Sequence, residues 1–262
     1  MADNITIVTA FFKINKNKYN HTYDEWINNL LLNLNKNLII FTCKEYYEIV
    51  KNARSKYEDK TLIIVTNIEN FYMYKYLDYL KENLNNDHEK NYHNTDLYMI
   101  WNEKFKFVEK GILLNPFNTK YFAWCDIGYV RNPIYINMYM KNFPNVEKIT
   151  EDKIYMLNID YNFTEDDFKN PYNQIYRYIS NTIGAGFIIG SADKFKEIID
   201  IYYNKIIPTY IENDYFIGKE QNLYVSLYLN NPSLIKLIKG TNDNYTIPYS
   251  EFKWFYFLKY LS

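Results

Sequence analysis

The residues of this chain most able to do chemistry are two carboxylates, an arginine and a set of glycines. Asp126 closes the apolar run Tyr121-Phe122-Ala123-Trp124-Cys125, and Gly128 and Arg131 follow it closely. A strand ending in a carboxylate puts that group at the carboxyl edge of a sheet, where open α/β folds bind their ligands. There an aspartate can hold a metal ion or a ribose hydroxyl, and a glycine lets a ligand approach the backbone. The same Asp-x-Gly spacing also suits an ordinary turn. Glu220 and Gln221 follow Gly218 at a helix start, a place where the helix dipole alone favours a carboxylate. Taken together, Asp126 and Glu220 suit acid–base or metal-assisted chemistry on a polar substrate. Gly184, Gly186 and Gly190 frame a further apolar strand. They can admit a substrate to the backbone, but read alone they are better explained by tight packing.

Other chemistries find no support. The sequence lacks the glycine-rich patterns of a P-loop or a Rossmann dinucleotide site. It has no Cys or His cluster for zinc and no Gly-x-Ser-x-Gly elbow for an acyl hydrolase. His21, His88 and His93 lie in polar surroundings and read as solvated. The net charge of −1 leaves no electrostatic footprint for nucleic acid. Cys43 and Cys125 each end an apolar run and read as buried thiols of a reducing compartment. No signal peptide and no membrane-spanning run is visible, so the expected location is cytoplasmic. That means the cytoplasm of a bacterium, or of a host cell if the source is a virus. The leaning on Lys, Asn, Ile and Tyr fits an AT-rich genome such as a large DNA virus or an AT-rich bacterium. Against so many lysines, only Arg54, Arg131 and Arg177 are arginines, a hint that a planar, bidentate donor is needed at those positions.

The elements that must position these groups follow from the apolar pattern. With 48% hydrophobic residues over 262 positions, the chain can bury a large core. Residues 5–12, 38–43 and 61–66 read as apolar strands, separated by helices over roughly 22–34, with Thr22 as N-cap, and 44–54. Unalternating strands between helices argue for a mainly parallel sheet covered on both faces. Residues 70–84 read as helical, 85–96 as a mobile polar loop, and Asn102–Asn115 as a helix with Asn102 at its N-cap. Short strands follow near 154–157 and around 183–190. Ser191 caps a helix that Pro208 breaks near Ile207. A helix from Gly218 to Leu229, a strand over Leu234–Ile238 and an aromatic closing helix complete the chain. Polar groups thus gather at strand ends: Thr9, Thr42, Asp126, Arg131 and Asn181.

Several stretches resemble the WlaTC/HtrL (HtrL/YibB-like) glycosyltransferase family, bacterial proteins linked to lipopolysaccharide core synthesis. They are Thr6–Phe12, Lys60-Thr61, Trp101-Asn102-Glu103-Lys104 and Asn115-Pro116-Phe117-Asn118-Thr119. Trp124-Cys125-Asp126-Ile127-Gly128 with Arg131 is the most specific; Gly184–Ser191 and Glu220-Gln221 follow. The matches run in order from residue 5 to about 235. The resemblance implies a GT-A-like, Rossmann-like α/β fold in one compact domain. Residues 1–131 would form its nucleotide-sugar-binding half and 132–262 its acceptor-binding half. The implied reaction moves a sugar, hexosyl or N-acetylhexosaminyl, from a nucleotide sugar, a UDP-sugar foremost, to a hydroxyl of a glycan.

By the same resemblance, Thr9, Ala10, Phe11, Arg54, Asn102, Lys104, Asp126, Gly128 and Arg131 would bind the donor. Gly184, Ala185, Gly186 and Gln221 would face the acceptor. Glu220 would be the base of an inverting transfer or line the reacting face in a retaining one, with Asp126 as its catalytic companion. Mn2+ or Mg2+ would sit on Asp126, the first Asp of the Asp-x-Asp motif of such enzymes. Gly128 stands where the second Asp is usual, and no histidine follows His93. Asp243 is therefore the remaining candidate ligand, though a turn residue is its simpler reading. Lys104, Arg131 or Lys239 can instead supply positive charge without metal. Two rival readings are a non-catalytic glycan- or nucleotide-binding descendant and a nucleotidyltransferase. Nothing in the sequence sets the oligomeric state.

Overall fold

The computed structural model describes residues 4–12, 14, 23–179, 181–240 and 252–262. Asp243 and the expected N-cap Thr22 lie outside them. Seven strands are described: β1 (Ile5–Phe11), β2 (Asn37–Thr42), β3 (Thr61–Val65), β4 (Tyr121–Cys125), β5 (Ile154–Asn158), β6 (Ile183–Ser191) and β7 (Ile235–Lys239). They form one mixed sheet in the order β3-β2-β1-β4-β6-β5-β7. All neighbours pair parallel except across β6, which runs antiparallel to both β4 and β5. Chain order grows outward from β1 to β2 and β3, then reverses to place β4 on the other side of β1. That reversal is the topological switch point, and crevices form outside the strand ends there.

The helices are α1 (Tyr23–Leu31), α2 (Tyr47–Ala53), α3 (Leu77–Asn85), α4 (Thr95–Leu114), α5 (Pro133–Tyr135), α6 (Glu165–Lys169), α7 (Ala192–Ile201), α8 (Ile207–Glu212), α9 (Glu220–Asn230) and α10 (Phe257–Tyr260). Successive strand residues feed two separate cores. Val8, Ile39, Trp124 and Ile188 pack on the side of α4, α7 and α9, whereas Ile7, Ile40, Ala123 and Ile189 pack on the side of α1, α2 and α10. Burial on both faces is why these strands show no polar alternation. β3 is the exception among the apolar runs: as an edge strand it leaves Val65 48% exposed.

Three expectations need correction. The helix before β4 starts at Thr95, not Asn102, because Asn94 caps it by accepting from the Leu97 N–H at 2.9 Å. Its end is as read: Asn115 takes a left-handed conformation ahead of Pro116. Second, Pro208 does not end the helix after Ser191. The turn Tyr202–Ile206 widens to a π-helix, and Pro208 then sits in the first turn of α8, where a missing N–H costs nothing. Third, the polar loop after α3 is tied down. The Asp87 carboxylate is buried and receives hydrogen bonds from the Tyr98 hydroxyl and from the Glu89 N–H at 2.9 Å. His93, expected to be solvated, pairs with that same carboxylate through Nδ1 at 2.6 Å.

Candidate active site

The site is assembled by three consecutive residues in the middle of α4. Asn102, Glu103 and Lys104 are all buried, yet each serves a different neighbour. Asn102 donates to the carbonyls of Tyr98 and Ile217, both at 2.9 Å, and accepts from the Tyr202 hydroxyl at 2.7 Å. Glu103 accepts from the Tyr72 and Met73 N–H groups at 2.9 and 3.0 Å. Burial pushes its carboxyl up to about 7 against the pull of those two donors. Lys104 lies on the same helical stripe as Val108 and Gly111. Gly111 lets that stripe close on β1 and β2, since a Cβ there would meet Val8 at 2.9 Å and Ile39 at 3.4 Å.

That close approach delivers the Lys104 ammonium to the switch point. It reaches Asp126 Oδ1 at 2.9 Å, Glu220 Oε1 at 2.8 Å and the Ala185 carbonyl at 3.1 Å. An ammonium has three protons to donate, and these acceptors match that number. Burial would drive the proton off, but the two carboxylates beside it raise the Lys104 pKa above its ordinary value. Asp126 Oδ1 also accepts from the Trp124 indole at 2.7 Å, and the Lys104 ammonium lies 5.7 Å from that ring. The two carboxylates differ in access: the Asp126 side chain is 39% exposed and that of Glu220 only 6%.

Backbone pairing across the β4–β6 seam fixes where Asp126 stands. Its N–H donates to the Gly186 carbonyl at 2.8 Å. A Cβ on Gly186 would sit 3.0 Å from the Tyr129 ring and 3.6 Å from Asp126 Oδ2. Gly184 and Gly190 instead make room for Ile159 and Ile154, the packing role expected of the set. Ala185 contributes its carbonyl to Lys104. Gln221 donates to the Ile183 carbonyl at 3.1 Å, tying the start of α9 to the start of β6. Of the acceptor-side set, Gly186 borders the Asp126 carboxylate directly.

Glu220 is placed by the segment in front of it. Ile217 is held by Asn83 and Asn102, and Lys219 pairs with Glu89 of the tied loop. Asp87 underlies this clamp. Burial works to raise its pKa, but His93, Tyr98 and the Glu89 N–H together hold it well below the usual carboxylate range. A group with a depressed folded pKa stabilises fully above its unfolded value near 4, and that stability is lost as pH falls below it. Wild type should therefore lose melting temperature more steeply than Asp87→Asn as pH drops below about 4. Equal slopes in thermal melts across that range would refute the role.

The remaining donor candidates divide. Phe11 packs its ring, tilted by 58°, against Tyr46 with centroids 4.4 Å apart, and Ala10 is buried toward α4. Thr9 is fully buried, and its hydroxyl has no partner among the described residues. Gly128 and Arg131 are brought together: Arg131 Nε donates to the Gly128 carbonyl at 3.4 Å. The exposed guanidinium lies over the Trp26 and Phe255 rings, 4.5 and 5.4 Å from their centroids. Asn102 is spent on the protein's own backbone. Arg54 is at the wrong end of the sheet. Buried at 1% exposure, it donates to the carbonyls of Leu31, Leu34 and Lys36, ahead of β2, and to Thr61, which begins β3. It braces the strand starts, whereas ligands of such folds bind at the strand exits.

At those exits lies a cavity of about 440 Å3 lined by Phe12, Cys43, Glu45, Asn67, Ile68 and Glu69. The sequence reading missed these residues. Their signal was present: each stands just past the carboxyl end of β1, β2 or β3, on the rim that also carries Asp126. No group of three His, Cys, Asp or Glu side chains able to hold a metal ion occurs among the described residues. Asp126 Oδ1 and Glu220 Oε1 are already engaged by Lys104, and Gly128 offers no side chain. Among the described residues, Asp126, Gly128 and Glu220 do not fit a resident divalent ion.

A mixed sheet with a carboxylate at its switch point and an open cavity on the same rim is an architecture this chain shares with solved glycosyltransferases of GT-A fold. Core-mannan synthase A from Aspergillus fumigatus, solved in a Mn/GDP form, matches 90% of this chain and 72% of its own at a TM-score of 0.51 and 12% identity. Mouse xyloside xylosyltransferase 1, in its apo form, matches 96% of this chain and 92% of its own at a TM-score of 0.45 and 14% identity. At 12% identity the likeness to core-mannan synthase A is one of fold.

The chain itself belongs to the HtrL/YibB family, described as bacterial proteins of unknown function, whose profile matches residues 3–247. Protein HtrL of Escherichia coli (strain K12) is 24% identical over 265 residues, covering 90% of this chain and 88% of HtrL. Among the described residues, no helix is long and apolar enough to cross a membrane.

Proposed function

We propose that this protein is a glycosyltransferase that moves a sugar from a nucleotide sugar, a UDP-sugar foremost, to a hydroxyl of a glycan. One observation carries the reading: the Lys104 ammonium gathers a carboxylate from the exit of β4 and another from the start of α9. The first belongs to the half of the chain, residues 1–131, whose strand exits form the cavity. The second belongs to the half, residues 132–262, that would receive the acceptor. The nucleoside would occupy the cavity beside Phe12. The diphosphate would run along the rim past the β1–β4 switch point, toward Arg131. A guanidinium suits a departing diphosphate because it donates two parallel hydrogen bonds and keeps its charge. Its donors act where negative charge grows as the glycosidic bond breaks.

Asp126 is the carboxylate positioned to touch substrate, through Oδ2 beside Gly186. Glu220 lies behind it, under Lys104, as part of the floor. Glu220→Gln separates that role from general base catalysis. A base should lose on the order of 10²–10⁴-fold in turnover. A floor residue that still accepts from Lys104 should lose less than about tenfold with donor affinity unchanged.

The proposal is tested by incubating the protein with UDP-, GDP- and other nucleotide sugars, with and without glycan acceptors. Release of nucleoside diphosphate that acceptor accelerates is the expected result. Pyrophosphate released from a nucleoside triphosphate and a sugar phosphate would make it a nucleotidyltransferase. No turnover of any donor would leave a binding module, the reading that Gly128 in place of a second carboxylate favours.

A further inference from the structure

We propose that Lys104 is the built-in cation of this centre, holding Asp126 and Glu220 in the way a bound divalent ion holds two carboxylates, so that the protein works without such an ion. The inference rests on the transferase reading for its kinetic arm but not for its binding arm. Three observations lead to it. First, the ammonium is placed between the two carboxylates, at 2.9 and 2.8 Å, and its third proton goes to the Ala185 carbonyl. Every donor it has is used inside the protein. Second, its side chain is only 2% exposed. A divalent ion entering between Asp126 and Glu220 would have to expel a buried charge whose acceptors are all here, and an unpaired buried ammonium is strongly disfavoured. Third, the oxygen of Asp126 that faces Lys104 is also bonded to the Trp124 indole, which locks the carboxylate's rotation. Positive charge toward the diphosphate falls to Arg131, on the rim, which leaves no role for a metal at the floor.

Lys104 is thus a positioning residue. Without it two carboxylates would face each other with no cation between them, and Asp126 would be pushed from the place that Lys104 and the Trp124 indole give it.

The test uses the full chain freed of metals by chelation. In the binding arm, Mn2+ is titrated into wild type without nucleotide and followed by electron paramagnetic resonance. The free-ion signal should be undiminished; stoichiometric loss of signal that Glu220→Gln abolishes would overturn the proposal. In the kinetic arm, donor turnover in excess chelator should match that in Mn2+ within about twofold. Turnover lost in chelator and restored by Mn2+ would likewise overturn it. Lys104→Met should lower kcat far more than it changes KM for the donor. A folded Lys104→Met that keeps its kcat, or that changes only the donor KM, also sinks the idea. Should Lys104→Met not fold, the two wild-type arms still decide. If no donor is consumed under any condition, the transferase reading fails, while the Mn2+ titration still decides the question of the cation.

Discussion

Replacing Asp126 by Asn should lower sugar transfer by at least about 10²-fold while leaving the fold intact. The substitution keeps an oxygen for Lys104 and the Trp124 indole, so the local hydrogen bonds survive. What disappears is the negative charge at the β4 exit and the acceptor character of the second carboxylate oxygen, which borders Gly186. A partly exposed group that touches substrate should act on chemistry more than on stability, so the melting temperature should stay within a few degrees. Nucleotide release kinetics and a thermal melt on the same preparation check both halves. Undiminished turnover in Asp126→Asn would remove this residue from the site and the proposed function with it.

Arg54→Ala should have the opposite profile. Its guanidinium holds the carbonyls of Leu31, Leu34 and Lys36 at 3.0, 2.6 and 3.2 Å and the Thr61 hydroxyl at 2.9 Å. Truncation strands buried acceptors, at about 3 kcal/mol or more, since each unsatisfied buried group costs about 1–3 kcal/mol. For a chain of this size that is on the order of a 10 °C fall in melting temperature. Lysine should not rescue it, because an ammonium cannot reproduce the planar fork that spans separate carbonyls. Donor KM, measured below the transition, should be unchanged. A raised KM without a stability loss would return Arg54 to the nucleotide site.

Much of the architecture was readable because both faces of the sheet are covered. An apolar run such as Leu38-Ile39-Ile40 leaves little choice but a buried strand, and all three residues are indeed fully enclosed. Asp126 could be singled out because a lone carboxylate ends such a run. Glu220 could be placed at a helix start, but its burial could not, since that depends on Lys104 reaching across from 116 positions away. Lys104 itself was misplaced by half a helix. Asn102 looked like a cap because Asn is a good one, while the actual cap, Asn94, lay in a stretch too polar to suggest a helix. Arg54 shows the same limit from the other side. The scarcity of arginine did mark a planar donor, but its partners are main-chain carbonyls and the Thr61 hydroxyl rather than a nucleotide. Charge type is legible in a sequence; which end of a sheet it serves is a property of the closed fold.

The antiparallel seam between β4 and β6 bears on how the protein is made. Strands β1 to β4 emerge from the ribosome first and can zip together in parallel, yet β4 then offers its outer backbone edge to any passing strand. Unpaired edges invite aggregation, and here the cover arrives only with β6, about sixty residues later in the chain. Nascent chains stalled before Ile183 should consequently be the sticky ones, and a holdase chaperone would find its work there.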